Sequence, residues 1–90
     1  MKKTLITGVA GFIGFHAAKH ELKKGKFVIG VDNLNNYYNV NIKKDRLKLL
    51  KKEKNFIFFK NDLTSIIFYK KLKKHLREID SVIHLAGQAG

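Results

Sequence analysis

The chain has 90 residues, no cysteine, and a formal net charge of +12 from 19 lysines and arginines against 7 aspartates and glutamates. This length fits one small domain, and the lack of cysteine excludes a disulfide framework or a thiolate metal site within it. Only Arg46 and Arg77 are arginines, so the charge indicates solvated lysine-rich helices, and we do not expect a nucleic-acid ligand.

Short apolar runs predict buried strands, and the amphipathic segments between them predict helices. In chain order these are a strand at Lys3–Thr7, a helix at Phe12–Lys24, a strand at Phe27–Val31, a helix at Ile42–Lys54, a strand at Phe56–Lys60, a helix at Thr64–Leu76 and a strand at Ser81–Leu85. The asparagine-rich stretch 33–39 predicts a loop. In the second helix we expect Ile42, Leu47, Leu49 and Leu50 on or near the buried side.

The alternation of strands and helices predicts an α/β fold with a parallel sheet of four strands in the order 3-2-1-4 and three helices. This is a partial Rossmann fold. Helices one and two would cover one face of the sheet, and helix three would cover part of the other. Strand four would be an open edge, so we interpret residues 1–90 as the N-terminal part of a larger domain.

Three glycines mark the turn between the first strand and the first helix. Gly8 permits a tight turn, Gly11 lets the backbone approach a phosphate group, and Gly14 lets the helix pack closely. The free amides of Phe12 and Ile13 would then donate to a pyrophosphate at the start of the helix. A glycine triplet alone is weak, but its position after a strand and before a helix strengthens the prediction of a dinucleotide site.

An acidic residue follows this turn at the expected distance. Asp32 lies 18 residues after Gly14, at the end of the second predicted strand. A carboxylate there accepts hydrogen bonds from the adenosine ribose and repels a 2′-phosphate, which favours NAD over NADP as the cofactor. The alternative is that Asp32 only caps the following loop.

These motifs together resemble the NAD-dependent epimerase/dehydratase family of extended short-chain dehydrogenases. The resemblance rests on TGVAGFIGFH (residues 7–16), DNLNNYY (32–38) and VIHLAGQAG (82–90), and it covers the whole chain. Within the family, Asp32–Leu47 looks most like the UDP-glucuronate 4-epimerases and related nucleotide-sugar epimerases. The resemblance implies a parent reaction in which NAD transiently oxidises C4 of a UDP-sugar and the hydride returns to the opposite face.

The resemblance also implies where the cofactor would lie. The pyrophosphate would lie at Gly8, Gly11, Phe12, Ile13 and Gly14, the adenosine ribose at Asp32 and Asn33, the adenine at Asp62 and Leu63, and the nicotinamide-side ribose along Leu85, Ala86, Gly87 and Gln88. Gly87 stands where the nearest subfamily has alanine, although glycine fits the wider family.

The catalytic residues of the family are a Ser/Thr and a Tyr-x-x-x-Lys pair, which we expect beyond residue 90. Tyr69 and Lys73 have the spacing of that pair, but they fall between strands three and four, where the family has no catalytic group. We interpret them as a packed tyrosine and a solvated lysine. The catalytic and substrate-binding parts are therefore absent from these 90 residues, and we expect no turnover from them alone.

Other candidate residues have plain structural interpretations. His16 and His20 have the spacing of two zinc ligands but lack further partners, so we predict no metal site. We expect His84 to be packed or hydrogen-bonded, and His75 to be solvated.

The glycines argue against a signal peptide, and no apolar run is long enough to span a membrane, so we expect a cytoplasmic protein. Three hypotheses remain open: part of a nucleotide-sugar epimerase that meets its UDP-sugar only in a full-length parent, a stand-alone NAD-binding module, and a basic protein that binds polyanions.

Overall fold

The computed structural model of the chain describes residues 2–34, 40–60, 70 and 73–85. These residues form four strands, two α-helices and a short 3₁₀ helix. The elements are β1 (Lys3–Thr7), α1 (Phe12–Lys23), β2 (Phe27–Asp32), α2 (Val40–Leu50), β3 (Phe56–Lys60), a 3₁₀ helix (Lys73–Glu78) and β4 (Ile79–His84).

The four strands form one parallel sheet in the order β3-β2-β1-β4. Leu5 of β1 lies beside Ile29 of β2 on one side and beside Val82 of β4 on the other. Ile29 in turn lies beside Ile57 of β3. The predicted α/β fold class and strand order are therefore confirmed, and the carboxyl ends of all four strands meet at one edge, called here the carboxyl edge.

The main differences from the predicted elements are in the helices. Helix α2 starts two residues earlier than expected and ends at Leu50, because a turn carries the chain from Lys51 to Asn55. Most of the predicted third helix falls outside the described residues: of residues 64–72 only Lys70 is described, and it is α-helical. Where the last four residues of that prediction are described, they belong to the 3₁₀ helix Lys73–Glu78. Strand β4 begins at Ile79, two residues earlier than predicted.

Both faces of the sheet are apolar. On one face, Ile6, Val28 and Phe56 pack with the helix residues Phe15, Ala18, Leu47 and Leu50 in a single buried cluster. This confirms that helices one and two cover the same face. On the other face, Leu5, Ile29 and Val31 form a second buried cluster. Because β1, β2 and β3 are largely apolar on both faces, their sequences are mostly apolar runs rather than alternating patterns. Strand β4 differs, since it includes Asp80 and Ser81 and its residues alternate between half-buried and exposed.

Two apolar residues of α2, Ile42 and Leu49, were expected on or near the buried side of the helix but do not face the core. Leu47 and Leu50 are buried, whereas Ile42 and Leu49 are 48% and 51% exposed. The buried face therefore follows positions 43, 46, 47 and 50, which recur at intervals of three and four residues. Lys43 and Arg46 occupy the first two of these positions.

No helix among the described residues is long and apolar enough to cross a lipid bilayer.

Candidate cofactor-binding site

The turn after β1 is held by backbone hydrogen bonds to the end of β2. Gly8 adopts a left-handed φ of +73°, a conformation that favours glycine. Its N–H and that of Val9 donate to the carbonyl oxygen of Val31 at 2.8 and 3.2 Å, and the Gly11 N–H donates to the Gly8 oxygen at 3.1 Å. The turn is thus a fixed part of the sheet's carboxyl edge.

Helix α1 begins immediately after this turn with its first donors pointing out of the helix. Its first backbone bond runs from the Phe15 N–H to the Gly11 oxygen at 2.9 Å, so the N–H groups of Phe12, Ile13 and Gly14 have no acceptor within the helix. The N-cap residue is Gly11, so no N-cap side chain accepts these N–H groups, and the first turn of the helix has no acidic residue. This donor set, at the positive end of a helix, suits a pyrophosphate.

Gly14 brings the helix into contact with the turn itself. A Cβ atom at Gly14 would lie 2.1 Å from the Gly8 oxygen and 2.9 Å from the Val9 Cα. At Gly11 the corresponding distance to the Gly8 oxygen is 3.3 Å. Gly14 is therefore required by the closeness of the helix to the turn backbone, since nothing larger than hydrogen fits there.

Asp32 connects this turn to the loop after β2. Its side chain is buried, and Oδ2 accepts the Ala10 N–H at 3.0 Å while Oδ1 accepts the Leu34 N–H at 2.8 Å. Lys43 Nζ lies 3.9 Å from Oδ1. The interpretation of Asp32 as a loop cap therefore describes part of its role. A carboxylate has about four acceptor directions, so the two backbone hydrogen bonds do not use all of its acceptor capacity.

Two cations near this turn were not among the predicted site residues. Arg46 donates from Nη1 to the Ala10 oxygen at 3.0 Å, and its guanidinium carbon lies 5.8 Å from the centre of the Phe12 ring. The Lys43 side chain is 12% exposed. Lys43 lies four residues before Leu47, and Arg46 four residues before Leu50, but the sequence does not show which apolar residues of α2 are buried, so it does not place either cation on the inner face.

The end of β4 lies beside the same turn. The Leu85 N–H donates to both the backbone oxygen and Oγ1 of Thr7, at 3.1 and 3.0 Å. His84 Nδ1 lies 2.7 Å from Thr7 Oγ1, which confirms that His84 is hydrogen-bonded. Leu85 is thus next to the turn after β1, at the point between β1 and β4 where the strand order reverses and where ligands of such sheets bind.

The remaining predicted positions divide between described and undescribed parts of the chain. Asn33 follows Asp32 directly at the carboxyl edge. Asp62, Leu63, Ala86, Gly87 and Gln88 lie outside the described residues, as does Tyr69 of the Tyr69/Lys73 pair.

Two other histidines contact aromatic rings. His16 lies edge-on against the rings of Phe12 and Phe15, with centroids 4.7 and 5.2 Å away. His75 was expected to be solvated, and this is wrong: it is half-buried, lies 6.1 Å from the Phe59 ring centre, and its Nδ1 is 2.9 Å from Lys3 Nζ. Within the described residues no group of three or more potential ligands could hold a metal ion.

The opposite end of the sheet, called here the amino edge, carries a network of ion pairs. Buried Glu21 accepts hydrogen bonds from Lys24 Nζ at 3.0 Å and Thr4 Oγ1 at 3.1 Å. Lys26 Nζ lies 3.8 Å from Glu21 and 3.7 Å from Asp80. The hydrogen bond from Lys24 lowers the pKa of Glu21 below its ordinary value of 4.5, and burial opposes this only in part.

The sequence of the chain matches the model of a known protein family. The family model described as GDP-mannose 4,6 dehydratase matches residues 5–90. The chain belongs to this family, which confirms the resemblance to the NAD-dependent epimerases and dehydratases.

The similar proteins include UDP-glucuronate 4-epimerases. UDP-glucuronate 4-epimerase of Thermodesulfobacterium geofontis is 49% identical over 96% of this chain and 26% of its own length. Protein CapI of Staphylococcus aureus is 50% identical over 98% of this chain and 26% of its own length. The crystal structure of UDP-glucuronic acid 4-epimerase from Bacillus cereus, in complex with UDP-glucuronic acid and NAD, matches with a TM-score of 0.82 and 32% identity, covering 98% of this chain and 27% of that one. The chain therefore spans about a quarter of the length of these relatives.

Proposed function

We propose that this chain binds NAD at the carboxyl edge of its sheet, as the NAD-binding part of a nucleotide-sugar epimerase. One observation carries the proposal: the Asp32 carboxylate is hydrogen-bonded to the N–H of Ala10, and Ala10 immediately precedes Gly11, where α1 starts without a side-chain cap. The start of α1 and the Asp32 carboxylate therefore lie close together. The first would bind the pyrophosphate and the second the adenosine ribose.

The residues of the site fit the two polar parts of the cofactor. The N–H groups of Phe12, Ile13 and Gly14 supply donors in a place where glycines keep the backbone accessible. The Asp32 carboxylate is already fixed by two backbone donors, so it would meet the ribose hydroxyls without having to be ordered on binding. Its negative charge favours NAD over NADP, because a 2′-phosphate would be repelled.

We further propose UDP-glucuronate 4-epimerisation as the reaction of a full-length parent. The support is the identity to the T. geofontis enzyme and the similarity to the B. cereus structure, whose bound molecules are UDP-glucuronic acid and NAD. NAD would supply a reversible hydride acceptor, and the residues of this chain would bind and orient it. The Ser/Thr and Tyr-x-x-x-Lys residues expected for the chemistry do not occur in these 90 residues in the required places, so we propose that the chain alone is inactive.

Calorimetric titration of the 90-residue chain with NAD tests the proposal. We expect saturable binding that weakens by more than about tenfold in Asp32→Ala, since a hydrogen bond to a charged group contributes about 1.5–3 kcal/mol. Asp80→Ala is the matched control, because it removes a carboxylate at the amino edge, where Asp80 pairs with Lys26. Absence of binding at millimolar NAD to the folded chain, or equal losses in the two variants, would contradict the proposal.

A further inference from the structure

Ala10 lies in the turn after β1 (residues 8–11), called here the phosphate turn. Charged side chains form hydrogen bonds to both its N–H and its carbonyl group. Its N–H donates to Asp32 Oδ2 at 3.0 Å, and its carbonyl oxygen accepts a hydrogen bond from Arg46 Nη1, also at 3.0 Å. Ala10 itself is completely buried. Both bonds are charge-assisted, a kind that is shorter and stronger than bonds between neutral groups.

The two side chains approach Ala10 from separate elements. Asp32 comes from the end of β2 and Arg46 from the middle of α2. The alkyl part of Arg46 lies on the helix face whose next members, Leu47 and Leu50, are packed in the core. The position of the guanidinium group is therefore set by the docking of α2 on the sheet, and the same docking places Lys43 against Asp32.

The neighbouring residues connect this arrangement to the cofactor donors. Ala10 is followed by Gly11, which caps α1, and by Phe12, whose N–H is the first free donor of the helix. The guanidinium group of Arg46 also lies over the Phe12 ring. A shift of the Ala10 peptide would thus change the direction of the Phe12 and Ile13 N–H groups.

We propose that Arg46 is a positioning residue for cofactor binding, which holds the phosphate turn in its binding conformation through the Ala10 carbonyl. The inference rests on the proposed NAD function and deepens it. Arg46 acts on the pyrophosphate through the turn backbone, so its contribution is greatest for ligands that carry a pyrophosphate. An attraction by charge alone would be retained by lysine and lowered by salt, whereas a guanidinium bonded to one carbonyl is sensitive to geometry.

Arg46→Met is the main variant, because methionine keeps an apolar stem but cannot donate. Arg77→Met is the matched control: Arg77 is the other arginine of the chain, is exposed, and lies on the 3₁₀ helix. Each variant loses one positive charge. We would titrate NAD, ADP and adenosine into ¹⁵N-labelled protein and measure affinities from amide shifts, together with hydrogen exchange of the Ala10 amide.

We expect Arg46→Met to weaken NAD and ADP binding by about tenfold and adenosine binding by less than about twofold. Arg77→Met should leave all three affinities within about twofold of the original chain. Exchange of the Ala10 amide should become about tenfold faster in Arg46→Met, while the sheet amides of Ile6 and Ile29 keep their protection. A general loss of stability would lower the affinity for adenosine and ADP alike.

The proposal would be overturned if the original chain binds ADP and Arg46→Met binds it with the same affinity. It would also be overturned if Arg46→Met loses as much affinity for adenosine as for ADP. If Arg46→Met does not fold, Arg46→Lys decides: we expect a loss in ADP affinity beyond about twofold despite the retained charge, and an unchanged affinity contradicts the positioning role. If the original chain does not bind NAD, the proposed function fails, and the exchange rate of the Ala10 amide in Arg46→Met still decides whether Arg46 holds the turn.

Discussion

The amino edge and the carboxyl edge of the parallel sheet differ in how their polar groups are paired. At the amino edge, Glu21 accepts hydrogen bonds from Thr4 and Lys24, and both lysines after α1 pair with its carboxylate. At the carboxyl edge, the backbone is fixed just as firmly through Asp32 and Arg46. There, however, the first donors of α1 have no side-chain cap among the described residues.

The difference separates a stabilising edge from a binding edge. Charges that satisfy one another within the fold contribute to stability and leave little capacity for a ligand. A rigid turn whose helix donors point outward loses little conformational entropy when an anion binds, so its order benefits affinity. Substitutions at the amino edge should therefore change stability alone, and those at the carboxyl edge should change NAD binding as well.

The largest expected effect is at Gly14. In Gly14→Ala the new Cβ would lie 2.1 Å from the Gly8 oxygen, so either the turn or the helix must move. We expect a loss of about 3 kcal/mol in the free energy of unfolding and no measurable NAD binding. Urea denaturation and calorimetry check this.

Gly25→Ala is the control for that change. A Cβ at Gly25 meets nothing within 4 Å, and only its φ of +82° disfavours alanine, at about 1 kcal/mol. Its affinity for NAD should equal that of the original chain. A Gly14→Ala variant as stable as Gly25→Ala would contradict the close packing of helix and turn.

The next effect is at Asp32. Asparagine offers one acceptor oxygen where the carboxylate serves both the Ala10 and the Leu34 N–H groups, so one backbone donor loses its partner. We expect Asp32→Asn to lose about 2 kcal/mol of stability and to bind NAD more weakly. Asp80→Asn at the amino edge should lose less than about 0.5 kcal/mol; equal losses in urea denaturation would argue against the coupling role of Asp32.

A smaller effect is expected at Glu21. Glu21→Gln keeps a polar side chain but removes the charge that Lys24 and Lys26 approach. We expect a loss of about 1 kcal/mol in stability at neutral pH and an unchanged NAD affinity. A variant with normal stability but weakened NAD binding would reverse the assignment of the two edges.

The same residue predicts a dependence on pH. The pKa of Glu21 is lowered in the folded chain, chiefly by the hydrogen bond from Lys24. The folded state therefore binds fewer protons than the unfolded state near pH 4.5, and the stabilisation is present above that pH and lost as the pH falls further. The stability difference between the original chain and Glu21→Gln should shrink between pH 6 and pH 3; a constant difference in urea midpoints would contradict this.

Much of this fold could be predicted because its signals are local. The bounds of β1 and β3 follow from apolar runs ended by a glycine or by polar residues, and the strand order follows from the alternation of elements. The roles of Gly8 and Gly14 follow from the need for a tight turn and a close approach of backbone.

The contacts of Arg46 and Lys43 could not be predicted in the same way. Both lie in a lysine-rich helix where positive charge indicates solvent, and their contact with Ala10 and Asp32 depends on the rotation of α2 against the sheet. The rotation differs from the predicted one, because Ile42 and Leu49, which the sequence places near the core, are half exposed. In a helix of eleven residues, the spacing of apolar residues does not determine closely which side of the helix faces the sheet.

The measurement that tests the two-edge account most directly is a ¹⁵N chemical-shift titration of the 90-residue chain with NAD. The account predicts saturable shifts for the amides of residues 8–14 and of Leu34, with the amides of Glu21, Lys24 and Lys26 unmoved. Shifts concentrated at the amino edge, or no shifts at millimolar NAD in a folded sample, would contradict it.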